Sequence, residues 1–328
     1  MRLGLRAVLA FGIAAATTAC AAVLGIEDGV PRTDGAPDTS PPDAKTSDSS
    51  MGDSAPRTTC DPFAPFGKPI AQVTLNTPSA QDLHARLTPD ELTIVFASDR
   101  LGTAGSLDLY TSTRGSIQVP FNGPSSLGPS VNTKFDDSDP ALSADGKTLY
   151  FASTRGIIPQ WDLWTSVRTT PQTAFGLPTN VMALNSPNTE WSPFVTSTGD
   201  SLLFASNRNG GMLIYSSDLK NGFGAPVPLA GMTDAGPGHD DRSGALSQDG
   251  LVLYFSSNRP GSANFDIWVT TRAAIVNPFG APKLVTELST PGEDYVSWIS
   301  NDLCRVYFST NKNNSSTDFD LFYAERPL

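Results

Sequence analysis

Five carboxylates recur in this chain at nearly even intervals. Asp82, Asp137, Glu190, Asp241 and Asp294 each stand six residues before a Ser or Thr that enters a turn. Acidic side chains brought to one opening focus a negative potential, which attracts cations or a basic segment of a partner. Such a ring also suits a hard divalent ion such as Ca2+, which prefers oxygen ligands. A second set lies two residues further along: His84, Asp139, Ser192, Ser243 and Val296, with Trp191, Arg242 and Tyr295 on neighbouring positions. This set differs from repeat to repeat, and a mixture of aromatic, basic, acidic and hydroxyl groups is what a binding face presents. The five recurring acids, by contrast, fit two roles. They line the mouth of a channel, or each accepts backbone N–H groups from an adjacent turn and locks one repeat to the next.

Enzyme chemistry finds less support. The two histidines, His84 and His239, fall in different repeats and assemble no His-based metal cluster. No G-x-S-x-G elbow, phosphate-binding loop or dinucleotide fingerprint occurs. Glycoside hydrolysis needs two carboxylates in different environments. Asp139, the one acid of the variable set, is the first candidate for such a role, whereas five near-equivalent acids look like architecture. No catalytic residue and no bound cofactor is assigned, a cation at the acidic positions excepted.

The elements that must hold these residues are written five times. IVFASDR (94–100), LYFASTR (149–155), LLFASNR (202–208), LYFSSNR (253–259) and VYFSTNK (306–312) align on phenylalanines spaced by 55, 53, 51 and 53 residues. Before each lies a short strand and a tight turn such as Ala144-Asp145-Gly146; after each come a loop and a third strand such as DLY (108–110) or DLW (162–164). Short β-rich runs between Gly, Asp and Asn turns, with no helical periodicity, predict antiparallel hairpins. The basic residues Arg100, Arg155, Arg208, Arg259 and Lys312 end the second strand, and Asp108, Asp162, Asp266 and Asp320 begin the third. Their spacing predicts an ion pair bracing each loop, worth ~0–1 kcal/mol if exposed. Trp161, Trp164, Trp191 and Trp298 are assigned mainly to the core.

A fourth strand carries its own signature: AFGLPTNVMAL (174–184), GFGAPVPLAGM (222–232) and PFGAPKLVTEL (278–288), with a looser PFNGPSSLGPSV (120–131) in the first repeat. The last repeat has none, yet PFGKPIAQVTL (65–75) stands before the first repeat with no strands of its own. Circular closure resolves both facts. The N-terminal strand completes the last repeat, giving an all-β, five-bladed β-propeller closed one plus three, with its sheet edges protected by the ring. Closure brings Cys60 and Cys304 into one blade and predicts a disulfide between them, worth on the order of 4–5 kcal/mol in the chain-entropy model.

Units of the form acidic residue, short strand, Ser-x-Asp-Gly, apolar strand, Ser-x-Arg, loop, Asp-Leu-Tyr resemble the β-propeller repeats of the TolB type. The copy from Asp137 through Ser143, Asp145, Gly146, Phe151 and Arg155 to Asp162 is the cleanest. The resemblance covers 60–328 and implies a binding propeller of the bacterial envelope whose partner is a protein. Leu213, Lys312 and Leu303 depart from the pattern, and the helical N-terminal domain of that family has no counterpart here.

The chain ahead of the repeats reads differently. Arg2 and Arg6, the apolar run 7–16 and Thr17-Thr18-Ala19 before Cys20 form an export signal, 1–19, that resembles a bacterial lipobox with Cys20 as the lipidated residue. Residues 20–59 are rich in Pro, Ser, Thr and Asp and read as a flexible acidic tether. A net charge of −11 leaves no basic face for nucleic acid. The expectation is a monomeric, exported lipoprotein of the outer membrane, periplasmic or cell-surface, meeting the membrane only through its anchor. Its partner is an envelope protein or peptide, or alternatively a cell-wall or extracellular glycan.

Overall fold

The computed structural model describes residues 60–328 apart from 159, 221, 233–237 and 312–317. The export signal, Cys20, the tether and Lys312 lie outside the described residues. Twenty strands form five four-stranded sheets, with no helix among the described residues. β1 (Ile70–Ala71) comes first in the chain and is placed last in the ring. The first blade is β2 (Asp82–Leu87), β3 (Thr93–Ser98), β4 (Asp108–Thr113) and β5 (Ser125–Ser126). The second is β6 (Asp137–Leu142), β7 (Thr148–Ser153), β8 (Asp162–Val167) and β9 (Thr179–Asn180). The third is β10 (Glu190–Val195), β11 (Ser201–Ser206), β12 (Leu213–Asp218) and β13 (Val227–Pro228). The fourth is β14 (Asp241–Leu246), β15 (Val252–Ser257), β16 (Asp266–Thr271) and β17 (Lys283–Leu284). The fifth is β18 (Asp294–Ile299), β19 (Arg305–Thr310) and β20 (Asp320–Glu325), completed by β1.

All pairings within the blades are antiparallel, and the first strands touch in the cyclic order β2, β6, β10, β14, β18 and back to β2. The chain is therefore a five-bladed β-propeller whose first strands surround the centre. β1 pairs with β20 through Ile70 opposite Tyr323 and Ala71 opposite Phe322, the one-plus-three closure. Cys60 and Cys304 are joined in a disulfide across 244 residues of sequence, as the closure requires.

The second strands are apolar on both faces because each is covered by the blades on either side. Phe96, Phe151, Phe204, Phe255 and Phe308 are all buried. The fourth strands are shorter than the FG-P signature suggests, two residues each. Most of that signature does packing instead. Phe66, Phe121, Phe175 and Phe279 are buried, and each is capped by a guanidinium, from Arg326, Arg114, Arg168 and Arg272, at 3.8 to 4.5 Å from the ring centroid. The signature ends on Leu75, Val131, Leu184, Met232 and Leu288, buried as plugs between blades.

Candidate functional site

The expected brace between the basic residues and the third-strand acids is not what forms. Arg100, Arg155, Arg208 and Arg259 instead pair with the first-strand acids Asp82, Asp137, Glu190 and Asp241. Spacing explains the exchange. An arginine four residues after the buried phenylalanine lays its guanidinium over that ring, at 4.6 to 5.2 Å from the centroid in the four blades. From there it reaches the acid opposite the strand end, because Ser98 pairs with Asp82, and Ser153 with Asp137. In three blades it also donates to the carbonyl of the preceding plug residue: Leu75, Val131 or Leu184. Of the third-strand acids, Asp108 and Asp266 cap their own loops, accepting the Ala104 N–H at 2.6 Å and the Ala263 N–H at 3.2 Å, while Asp162 accepts from Asn180 Nδ2 at 3.2 Å.

The five recurring acids are consequently withdrawn from solvent. Asp82, Asp137, Glu190 and Asp294 are 0% exposed and Asp241 is 1% exposed. Each of four accepts a backbone N–H from the turn before it: from Thr77 at 2.6 Å, Thr133 at 2.9 Å, Ser186 at 3.0 Å and Thr290 at 2.7 Å. An open ring of carboxylates at a channel mouth is thus replaced by five buried locks between blades. Among the described residues no group of three or more His, Cys, Asp or Glu is placed to hold a metal ion. Asp294 accepts from Thr290 and Thr310, and burial pushes its carboxyl up to about 7. Burial also raises Asp82, Asp137 and Asp241, against the pull of Arg100, Arg155 and Arg259.

The variable set does meet. A cavity of about 220 Å³ opens where the first strands converge, and His84, Asp139, Trp191, Ser192, Arg242, Ser243 and Tyr295 line it. The strands aim these side chains by a shared irregularity. In every blade the register with the second strand slips by one residue within the first strand, a β-bulge. His84, Asp139, Ser192 and Ser243 stand in the bulges with φ between 51° and 55°. A bulge bends the strand and re-aims the side chain it carries. The left-handed region is open to Asp, His and Ser at modest cost, while a β-branched residue is excluded. Val296, at the fifth equivalent, keeps negative φ, is buried, and donates its N–H to Ser256 Oγ at 2.9 Å rather than lining the cavity.

Polar groups in the cavity are tightly linked. Asp139 accepts from Ser192 Oγ at 2.7 Å, and His84 Nδ1 lies 3.1 Å from its other oxygen and 3.2 Å from Ser138 Oγ. Burial alone would raise the Asp139 carboxyl, but His84, Ser192 and the Arg86 charge hold it below the usual carboxylate range. Arg86 fills the centre beneath, buried, with its guanidinium 5.5 Å from the Phe194 ring centroid, and burial lowers it to about 10. Around the rim, Arg242 pairs with Asp240 at 2.9 Å and lies over Trp191 and Phe265. The Tyr295 hydroxyl donates to Glu293 Oε2 at 3.1 Å, and burial, then the Glu293 charge, raises its pKa.

Trp161, one of four tryptophans assigned mainly to the core, lines the cavity, edge-to-face with Trp191 at 6.2 Å between centroids. Trp298 is core as expected, and Trp164 carries the Arg155 guanidinium at 5.5 Å. Leu107, Glu293 and Phe319 were not singled out as cavity residues. Only Glu293 had left a signal, as the acid preceding Asp294.

No known protein family and no curated protein matches the chain by sequence. Solved structures do. The chain is similar to TolB from Acinetobacter baumannii, with 18% identity over 74% of this chain and 54% of that one, TM-score 0.45. It spans about half the length of that protein. It is also similar to a thermostable family-43 glycoside hydrolase, with 12% identity over 77% of this chain and 92% of that one, TM-score 0.52. A further structure described as a glycoside hydrolase gives 10% identity over 82% and 93%, TM-score 0.53. Likeness at these identities concerns the fold. The disulfide belongs to an oxidising compartment, outside the reducing cytosol.

Proposed function

We propose that the chain is an exported binding propeller that recognises a segment of a protein or peptide partner, held at the envelope through a lipid on Cys20. One observation carries this reading. The positions that recur in all five blades are spent on locking the ring, and the positions that vary converge on one aromatic-rich cavity. At about 220 Å³ the cavity is smaller than the roughly 300–1,000 Å³ typical of small-molecule sites. That size fits one anchoring side chain of a larger partner, and buried aromatic pockets of this kind dominate binding energy at interfaces. Apolar side chains rim the same end. Leu101 and Ile157 are fully exposed, on loops whose far ends, Leu107 and Trp161, line the cavity.

The glycan reading keeps a specific support, the half-buried Trp161 and Trp191 rings, which offer flat apolar faces to a sugar. Hydrolysis is less well served. The carboxyls that burial raises, Asp82, Asp137, Asp162, Asp241 and Asp294, do not line the cavity, and Asp139, which does, is held below the usual carboxylate range. A general acid of elevated pKa beside the cleft is what glycoside hydrolysis asks for.

The test is a random-peptide display selection and an oligosaccharide array, probed in parallel with the oxidised protein and with Trp191→Ala. Peptides enriched on the native protein and lost from the variant support the proposal. Oligosaccharide signals lost from the variant, with no peptide enriched, replace it with the glycan reading.

A further inference from the structure

Among the described residues, the charges around the cavity do not all find partners. Arg242 is met by Asp240, and Asp139 by His84 and by the charge of Arg86. Among the described residues the Glu293 carboxylate is met only by the Tyr295 hydroxyl, on Oε2, and no Lys or Arg lies in ion-pair range of it. The carboxylate is half-buried at the cavity wall, where a charge interaction is worth more than in open water.

The aromatic walls beside it already accept a cation. The Arg242 guanidinium stands 5.0 Å from the Trp191 centroid and 4.5 Å from that of Phe265. Ring faces attract cations through their quadrupole, more strongly once water is excluded. Trp161 and Phe319 line the same cavity, and among the described residues no Lys or Arg covers either ring. A carboxylate without a cationic partner among the described residues, beside the half-buried Trp161 ring, selects for an alkyl stem ending in positive charge, because long cationic side chains bury their methylenes and keep the head at a polar group.

We propose that the cavity takes one cationic side chain, a lysine ammonium or an arginine guanidinium, with its head at Glu293 and its stem between Trp161, Trp191 and Phe319. This rests on the binding reading above and names the chemistry by which the partner is recognised. The net charge of −11 favours the approach of a basic segment.

The test has two arms. In the first, tryptophan fluorescence of the oxidised protein is titrated with n-butylammonium, n-butylguanidinium and neutral n-butanol, and again with Glu293→Gln. In the second, peptides selected by display are compared with versions in which each Lys or Arg is replaced by Gln. The proposal expects saturable binding of a cation but not of n-butanol. It also expects at least about a tenfold loss in Glu293→Gln at unchanged melting temperature, and a shared basic residue in the peptides whose removal costs a similar factor. Equal binding of n-butanol, or an unaffected Glu293→Gln, overturns it. Peptides that bind without a shared basic residue also overturn it while leaving the binding reading standing. Cations that bind where no peptide is enriched support the site and overturn the peptide partner; if nothing binds, both fall.

Discussion

A buried carboxylate is stabilising only while its partner is present, and that rule sets the residue-scale expectations. Asp137 is 0% exposed and held by Arg155, Ser153 and the Thr133 N–H. Removing one member of a buried pair strands the other charge, at a cost of about 3–5 kcal/mol. Arg155→Met should therefore destabilise by about that much in urea unfolding, and adding Asp137→Asn should recover part of the loss. A loss of ~1 kcal/mol or less would mean the pair behaves as an exposed one. Asp294 gives the pH dependence. Burial raises it from 3.8 to about 7, so the stability it lends is complete below its unfolded value and lost as pH rises through about 7. The shift is worth on the order of 4 kcal/mol. Melting temperature should fall less between pH 4 and pH 8 in Asp294→Asn than in the native protein; equal slopes would contradict the assignment. Sequence showed which residues recur, but not which recurring acid each arginine meets. Both candidates sit opposite the end of the second strand, one on each side. The choice follows from the guanidinium lying over the phenylalanine four residues back, a packing fact that spacing alone does not contain.

Strand geometry decides which side chains reach the cavity. Plain alternation would send residues of one parity to the centre along a whole first strand, but a one-residue bulge changes the face part-way. Pro140, Pro193 and Gly244 directly follow three of the bulged residues and are the residue types that a strand interior admits at a bulge, whereas nothing in DLHARL carries such a mark. The mixed set was legible as a set because it breaks the repeat, and its inward aim was not. Ser243, at φ 51°, offers a direct check. Ser243→Val should be less stable than Ser243→Gly by about 1–3 kcal/mol in thermal melts, because valine resists that backbone region. Equal stabilities would mean the bulge relaxes freely. The turns between first and second strands make the same demand. Gly146, Gly199 and Gly250 meet it without strain, while Glu91 and Leu303 adopt φ near 60°. At Glu91 the strain is offset by contacts with Arg114 and Arg305.

Ring closure is where sequence and structure agree most closely, because a strand without a blade and a blade without a strand leave one solution. Glu91 of the first blade pairs with Arg305 of the fifth, and Arg114 donates to the Tyr307 hydroxyl at 3.0 Å, so ions as well as β1 and the disulfide seal the ring. Cys60→Ser with Cys304→Ser should lower stability by about 5 kcal/mol in the chain-entropy model, read as a fall in melting temperature that matches reduction of the native protein. An unchanged melting temperature would show that strand pairing alone holds the closure. The central claim concerns the whole molecule: a partner is taken at the cavity where the five blades converge. Hydrogen–deuterium exchange of the oxidised protein, free and saturated with the tightest display-selected peptide, tests it most directly. The account predicts protection in the loops 99–107 and 154–161 and in the first strands around Asp139, Ser192, Ser243 and Tyr295. Protection confined to the groove between the third and fourth blades, lined by Val227, Leu229 and Ile275, would contradict it.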